Sequence, residues 1–167
     1  MSPWEENDWV DLSQQILDSY ARLIGSELIS RAGTPLDQAE QLFHAPFVVV
    51  AHGTQEDPLL CYGNATALGL WKITIPQLLQ TPSRKTAEPV HRDERSRLLA
   101  RTQRDGFVDD YRGIRIATDG QRFLIERATV WNVLNPNGTQ IGQAATFTDW
   151  TILSDDEESL NPNRSES

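Results

Sequence analysis

Three long strand-like runs constrain the fold more than any other feature. Residues 107–116, 122–134 and 140–150 are rich in β-branched and aromatic side chains. Asp119-Gly120 separates the first two, and Asn135-Pro136-Asn137-Gly138 separates the last two. Both separators are turn chemistry, with proline early and glycine late in the second. Strands joined by turns this short must run antiparallel. Earlier, Phe47-Val48-Val49-Val50-Ala51-His52 and Leu59-Leu60-Cys61-Tyr62 flank turn material from Gly53 to Pro58, so they read as a hairpin. A hairpin followed by a three-stranded meander predicts one five-stranded antiparallel sheet.

The helical signals fall around these strands. Trp9, Leu12, Ile16, Tyr20, Leu23, Ile24 and Leu28 follow the spacing of one helical face, so residues 9–29 are expected to form an amphipathic helix stopped by Gly33. Thr34 and Pro35 have the chemistry of an N-cap and first helical position for a second helix to Phe43. Asn64 can cap a short helix from Ala65 to Trp71, and another covers Ile75 to Leu79. Pro82 and Ser83 open a loop. A longer helix spans 92–105 and ends at Gly106. The resulting class is α+β, with helices covering one face of the sheet.

Charge refines this division. The net charge of −9 over 167 residues is unevenly spread. Residues 1–45 carry 8 acids and 2 bases, residues 154–167 carry 5 acids and 1 base, and the stretch between them is nearly neutral. Expected boundaries are an N-terminal helical extension over 1–33, a core over 34–153 and a disordered acidic tail over 154–167. The acidity argues against binding nucleic acid or an anionic membrane. No apolar run approaches the roughly 18 residues of a membrane helix. With no basic and apolar leader at the N-terminus, a cytoplasmic location is expected. The single cysteine, Cys61, excludes an internal disulfide and multi-thiolate metal sites. Residues 84–104 hold 7 bases and 3 acids, read as a solvated helix face, the alternative being a surface for an anion or an acidic partner.

The order of elements resembles a PAS domain. Tyr62-Gly63-Asn64-Ala65-Thr66-Ala67-Leu68-Gly69-Leu70-Trp71 looks like the second PAS strand, its asparagine and the helix that follows. Val90-His91-Arg92-Asp93-Glu94-Arg95 resembles the start of the long PAS helix, with Arg92 where proline is usual. A closer resemblance is to the MEKHLA domain family, a PAS-like group found in small bacterial and algal proteins. It also forms the C-terminus of plant class III homeodomain-leucine zipper proteins. The residues that carry it are Ala45-Pro46-Phe47-Val48-Val49-Val50-Ala51-His52-Gly53, Tyr62-Gly63-Asn64 and Pro82-Ser83-Arg84-Lys85-Thr86-Ala87-Glu88-Pro89. Gln103-Arg104-Asp105-Gly106-Phe107, Ala128-Thr129-Val130-Trp131-Asn132-Val133-Leu134 and Gln143-Ala144-Ala145-Thr146-Phe147-Thr148-Asp149-Trp150 complete it. No homeodomain or zipper is present, so DNA binding does not carry over.

The resemblance implies a sensory or regulatory module that acts by binding a small molecule or by protein–protein contact. Its ligand pocket would lie between sheet and helices, with Tyr62, Asn64, Trp71, Arg127, Trp131 and Phe147 as candidates. Simple alternation puts Phe123, Ile125, Arg127, Thr129, Trp131 and Val133 on one face of their strand. Leu124, Glu126, Ala128, Val130, Asn132 and Leu134 fall on the other. Both faces are substantially apolar, so the N-terminal helix or a second subunit is expected to cover the face away from the groove. A homodimer through that helix or the sheet face follows as the expected partner. Neither flavin nor haem has a supporting motif. His44, His52 and His91 read as packing or surface histidines, although some haem PAS proteins use a histidine from the helix near His91. Cys61 reads as a small buried hydrophobe. No nucleophile elbow, phosphate loop or metal-ligand spacing is present. A non-enzymatic module is therefore expected, the alternative being a small enzyme with a polar pocket around His52, Glu126 or Arg127.

Overall fold

The computed structural model describes residues 2–154. Apart from Ser154, the acidic tail expected to be disordered lies outside the described residues. The chain forms α1 (Asn7–Ile24), α2 (Pro35–Phe43), β1 (Val48–His52), β2 (Leu60–Gly63), α3 (Ala65–Trp71) and α4 (Ile75–Leu78). After α4 come α5 (Arg92–Asp105), β3 (Phe107–Ile116), β4 (Arg122–Leu134), β5 (Gln140–Phe147) and β6 (Asp149–Ile152). Short 3-10 turns occupy Pro3–Glu5, Ser83–Thr86 and Pro89–His91, the last two within what the sequence suggests is plain loop.

Local chemistry explains most boundaries. The Thr34 hydroxyl accepts from the Asp37 N–H at 3.2 Å, and the Asp37 carboxylate accepts from the Thr34 N–H at 2.9 Å. This reciprocal pair starts α2. Helix α1 ends five residues before the expected limit, because Gly25 adopts a left-handed conformation with φ 89°. Leu28 and Ile29 still pack on the core, but from the connecting segment.

All strand pairs are antiparallel, in the order β2-β1-β5-β4-β3. The N-terminal hairpin therefore docks beside the last strand of the meander. The final run does not stay one strand. It breaks at Thr148, and β6 pairs with β4 from Phe123↔Ile152 to Glu126↔Asp149. Strands β5 and β6 thus share one edge of β4, because β3 holds the other.

The break has a partner in β4, where Arg127 has φ 52°. An irregular residue inside a strand shifts the phase of every side chain beyond it. Phe123 and Ile125 pack with Trp71 and Phe147 on one face, and Ala128 joins them. Trp131 and Val133 point the opposite way, into a cluster with Ile16 and Leu17 of α1. The expected stripe through Arg127, with Ile125 and Trp131 on one face, is therefore corrected: the bulge puts those two residues on opposite sides.

Helix α1 lies against the face that carries Trp131. Ile16, Leu17, Tyr62 and Trp131 are fully buried there. The Trp131 indole N–H donates to the Ile16 carbonyl at 3.3 Å. The Leu134 N–H donates to the Ser19 hydroxyl at 2.7 Å. Ring contacts at 4.7 Å between Trp9 and Tyr62 and at 5.0 Å between Tyr20 and Trp131 complete the seam. The amphipathic helix thus covers one side of the sheet, and α3, α4 and α5 cover the other.

At Gly142 the β1 backbone approaches β5 too closely for a side chain. A Cβ there would sit 2.2 Å from the His52 carbonyl oxygen. Backbone cannot swing aside as a side-chain tip can. Gly142→Ala is expected to cost about 2 kcal/mol or more and to lower the melting temperature by about 4–8 °C. Gly69→Ala provides the contrast, since beyond its own helix backbone nothing lies within 4 Å of its Cβ position. In α3 that substitution is expected to gain about 0.5–1 kcal/mol. Thermal melts of both variants test the pair.

Candidate functional site

The groove between the sheet and helices α3–α5 encloses a cavity of about 70 Å³. Its floor comes from Val50 and His52 of β1, Ile125, Ala128 and Val130 of β4, and Ala145 and Phe147 of β5. Its roof comes from Trp71 at the end of α3, Ser83 and Thr86 in the first 3-10 turn of that face, and Arg95 and Leu98 of α5. Tyr111 and Arg115 of β3 close one side. A second hollow of about 320 Å³ adjoins it, sharing Val50, Leu60, Trp71 and Thr86.

Polar side chains lock the roof to the floor. The Gln143 amide donates to the Leu99 carbonyl at 3.0 Å and to the Asn132 side-chain oxygen at 3.1 Å. Asn132 in turn donates to the Gln103 carbonyl at 3.3 Å. The sheet thereby grips the C-terminal half of α5, where the helix offers carbonyls as acceptors.

His52 contributes one unpaired atom. Its Nδ1 lies 2.9 Å from the Gly53 carbonyl, which can only accept, so Nδ1 carries the proton. Burial holds the imidazole pKa below the ordinary histidine value; the Gly53 hydrogen bond opposes this, and the Arg95 charge adds to it. The ring is therefore neutral, with Nε2 as a bare acceptor. That atom is buried with no hydrogen-bond partner among the described residues. The Trp71 indole N–H is buried and unpartnered in the same way.

Two buried arginines are also among the residues that line the cavity. Arg95 is 8% exposed and Arg115 is 7% exposed. Arg95 donates to the Ser83 hydroxyl. Its pKa is pushed down to about 10, first by burial and then by the neighbouring Arg115 charge. Arg115 donates to the Ile114 carbonyl at 2.9 Å and sits 5.2 Å from the Tyr111 ring centre.

Of the six candidate residues read from sequence, the structure brings two to this cavity. Trp71 and Phe147 line it, with ring centres 6.2 Å apart. Tyr62 and Trp131 lie on the opposite side of the sheet under α1, where β2 pairing and the Arg127 bulge direct them. Asn64 is fully buried as a structural clamp. Its side-chain oxygen accepts from the N–H groups of Val49 and Ala67 at 3.1 and 3.0 Å. Its amide donates to the carbonyls of Leu42 and Phe47 at 3.2 and 2.8 Å. Arg127 is on the surface, paired with Asp149 at 2.6 Å.

The residues that distinguish the cavity are instead His52, Arg95, Arg115 and Gln143. Arg95 had a legible signal. With Leu98 and Thr102 it forms an i, i+3, i+7 stripe, and all three are buried. Within a basic helix, that stripe marks the one arginine that must turn inward.

The groups expected around an enzyme site are not gathered. His52 lines the cavity, Glu126 pairs with Arg112 at 3.1 Å, and Arg127 is engaged by Asp149. His91 is buried at the start of α5 but is not on the cavity lining. Cys61 is also off the lining, and burial pushes its thiol up to about 11, away from thiolate chemistry. Among the described residues no cluster of three or more histidine, cysteine or carboxylate side chains could hold a metal. No helix among them is long and apolar enough to cross a membrane. Small-molecule pockets usually enclose about 300–1,000 Å³. A flavin does not fit the cavity of about 70 Å³ as its side chains stand.

Comparisons with known proteins agree with this architecture. The MEKHLA domain family model matches residues 10–152, starting inside α1. No curated protein matches the chain. Among solved structures, a PAS domain of a protein from Colwellia psychrerythraea superposes with TM-score 0.58 at 14% identity, covering 70% of this chain and 94% of that one. The light-state dimer of the fungal blue-light photoreceptor Vivid gives TM-score 0.55 at 13% identity, covering 87% and 95%. A light-oxygen-voltage domain studied with a flavin analogue gives TM-score 0.55 at 14% identity, covering 78% and 96%. The fold is PAS-like.

Proposed function

The chain belongs to the MEKHLA domain family, and we propose that it is a non-enzymatic sensory or regulatory module that holds a small molecule in the groove between its sheet and helices α3–α5. One observation carries this reading. The cavity is built mainly of apolar side chains, yet two of its lining residues, His52 and Trp71, each bury a ring nitrogen with no hydrogen-bond partner among the described residues. A buried polar atom left unpaired costs about 1–3 kcal/mol, so a folded protein has reason to give it one. A ligand in the groove supplies that partner.

The protein acts through the groove rather than by self-association along α1. The apolar stripe of α1 is already committed to the sheet, and its core-facing residues share one cluster with Val49, Tyr62 and Trp131. Among the described residues, the large hydrophobic side chains that stay exposed are Leu36, Leu79, Val90 and Ile152, none of them on α1. A homodimer through that helix would have to use its polar outer side.

Native mass spectrometry of the purified full chain, followed by denaturation, tests the proposal. A bound species of a few hundred daltons or less is expected, released on unfolding and lacking a visible absorption band. A fragment screen by thermal shift is expected to find binders that raise the melting temperature. A chain with no adduct and no stabilising fragment would sink the ligand reading.

A further inference from the structure

The polar groups of the cavity also indicate what kind of molecule enters it. This step rests on the ligand-binding reading above. Arg95 and Arg115 are both more than nine-tenths buried and both line the same apolar chamber. Arg95 donates to the Ser83 hydroxyl, and Arg115 contacts the Ile114 carbonyl and both the ring and the hydroxyl of Tyr111. Among the described residues neither forms an ion pair. The nearby acids make their direct contacts with other groups: Asp57 pairs with Arg84 at 3.2 Å and reaches Arg95 only through its charge, and Glu94 accepts from the Tyr111 hydroxyl at 3.3 Å.

Two like charges side by side in a low-dielectric chamber repel each other and lose their hydration. An uncompensated buried charge is a strong liability, and replacing such groups by apolar residues of similar volume is often neutral or stabilising. A planar anion would offset both charges at one cavity wall, because a guanidinium matches a carboxylate in shape as well as charge.

We infer that the groove binds a small organic acid, its carboxylate received by Arg95 and Arg115 and its apolar body packed against Trp71, Leu98 and Phe147. The room limits the acid. A cavity of about 70 Å³ lies well below the roughly 300–1,000 Å³ of usual small-molecule pockets. A short-chain acid fits, with its tail directed toward the adjoining hollow.

Thermal melts and calorimetric titration of the full chain with butyrate and lactate test this, with butyramide as the neutral isostere and inorganic phosphate as the anion lacking an apolar body. A saturable rise in melting temperature is expected with the acids, about 5 °C or more at a hundredfold excess over Kd. Butyramide and phosphate are expected to give less than a tenth of the affinity. Arg95→Met and Arg115→Met are expected to melt at or above the parent temperature and to weaken acid binding at least tenfold.

If butyramide binds as well as butyrate, the groove is a ligand site but the acid assignment is overturned. Binding of phosphate alone overturns it too, since the apolar contacts then count for nothing. Equal acid affinity in parent and methionine variants places the acid elsewhere and overturns it. Methionine variants that melt well below the parent assign the guanidiniums to structure, with the same consequence. No response to any acid, alongside a native adduct or a stabilising neutral fragment, removes the acid assignment and leaves the ligand reading standing.

Discussion

Replacing Asn64 with alanine is expected to remove about 4 kcal/mol of stability, from a typical total of about 5–15 kcal/mol. The side chain is fully buried and makes four hydrogen bonds to backbone. Its acceptor serves β1 at Val49 and the first turn of α3 at Ala67. Its two donors serve the end of α2 at Leu42 and the residue before β1 at Phe47. Alanine would strand two N–H groups and the Phe47 carbonyl at a junction of four segments, while the Leu42 carbonyl keeps the Ala45 N–H at 3.3 Å. Urea denaturation is the check. A midpoint shift at unchanged slope, or a chain too unstable to purify, is the expected outcome; a loss below about 1 kcal/mol would show that water replaces the clamp. Asn64→Asp separates the two halves of the interaction. The carboxylate keeps both acceptor bonds but cannot donate, and it faces the Leu42 and Phe47 carbonyls. Burial would raise its folded-state pKa above the unfolded value. That variant is therefore expected to be weakest above its folded pKa and to regain relative stability as pH falls toward about 4.

The second large effect concerns Trp131. Truncation to alanine is expected to cost about 3–5 kcal/mol, because it empties the largest fully buried site in the α1 seam. It also deprives α1 of the indole contact at the Ile16 carbonyl and the edge-on packing of Tyr20. Helix α1 should loosen before the sheet does, since the groove face keeps its own clusters. Hydrogen exchange reads this directly. Protection is expected to fall first along residues 9–24 and only later in β4 and β5. Trp131→Phe retains most of the volume and loses the hydrogen bond, so about 1–2 kcal/mol is expected. Uniform loss of protection across sheet and helix would instead mean that α1 and the sheet unfold as one unit.

These two residues also show how far the sequence could be read. Asn64 is recognisable as a helix cap because a cap is local: its oxygen meets an N–H only three residues ahead. Its donors reach back 22 and 17 residues, and no local pattern reports them. Trp131 was legible as a buried aromatic on a strand. Alternation alone placed it with Ile125, however, because a left-handed Arg127 is not written in residue type. Arg95 lay within a basic stretch whose overall charge suggests solvent. Only its place in the stripe with Leu98 and Thr102 distinguishes it, and that stripe acquires meaning once α5 is seated on the sheet.

By itself the sequence determined most of the elements, the antiparallel meander and the PAS-like family resemblance. Those follow from signals within a few residues: capping chemistry, periodicity and turn composition. The tertiary structure decided which side of the sheet each aromatic serves, the docking of β1 against β5, and the meeting of two buried arginines from α5 and β3. Each of these depends on contacts between segments far apart in the chain, and a single bulge between them reverses the direction of every side chain that follows.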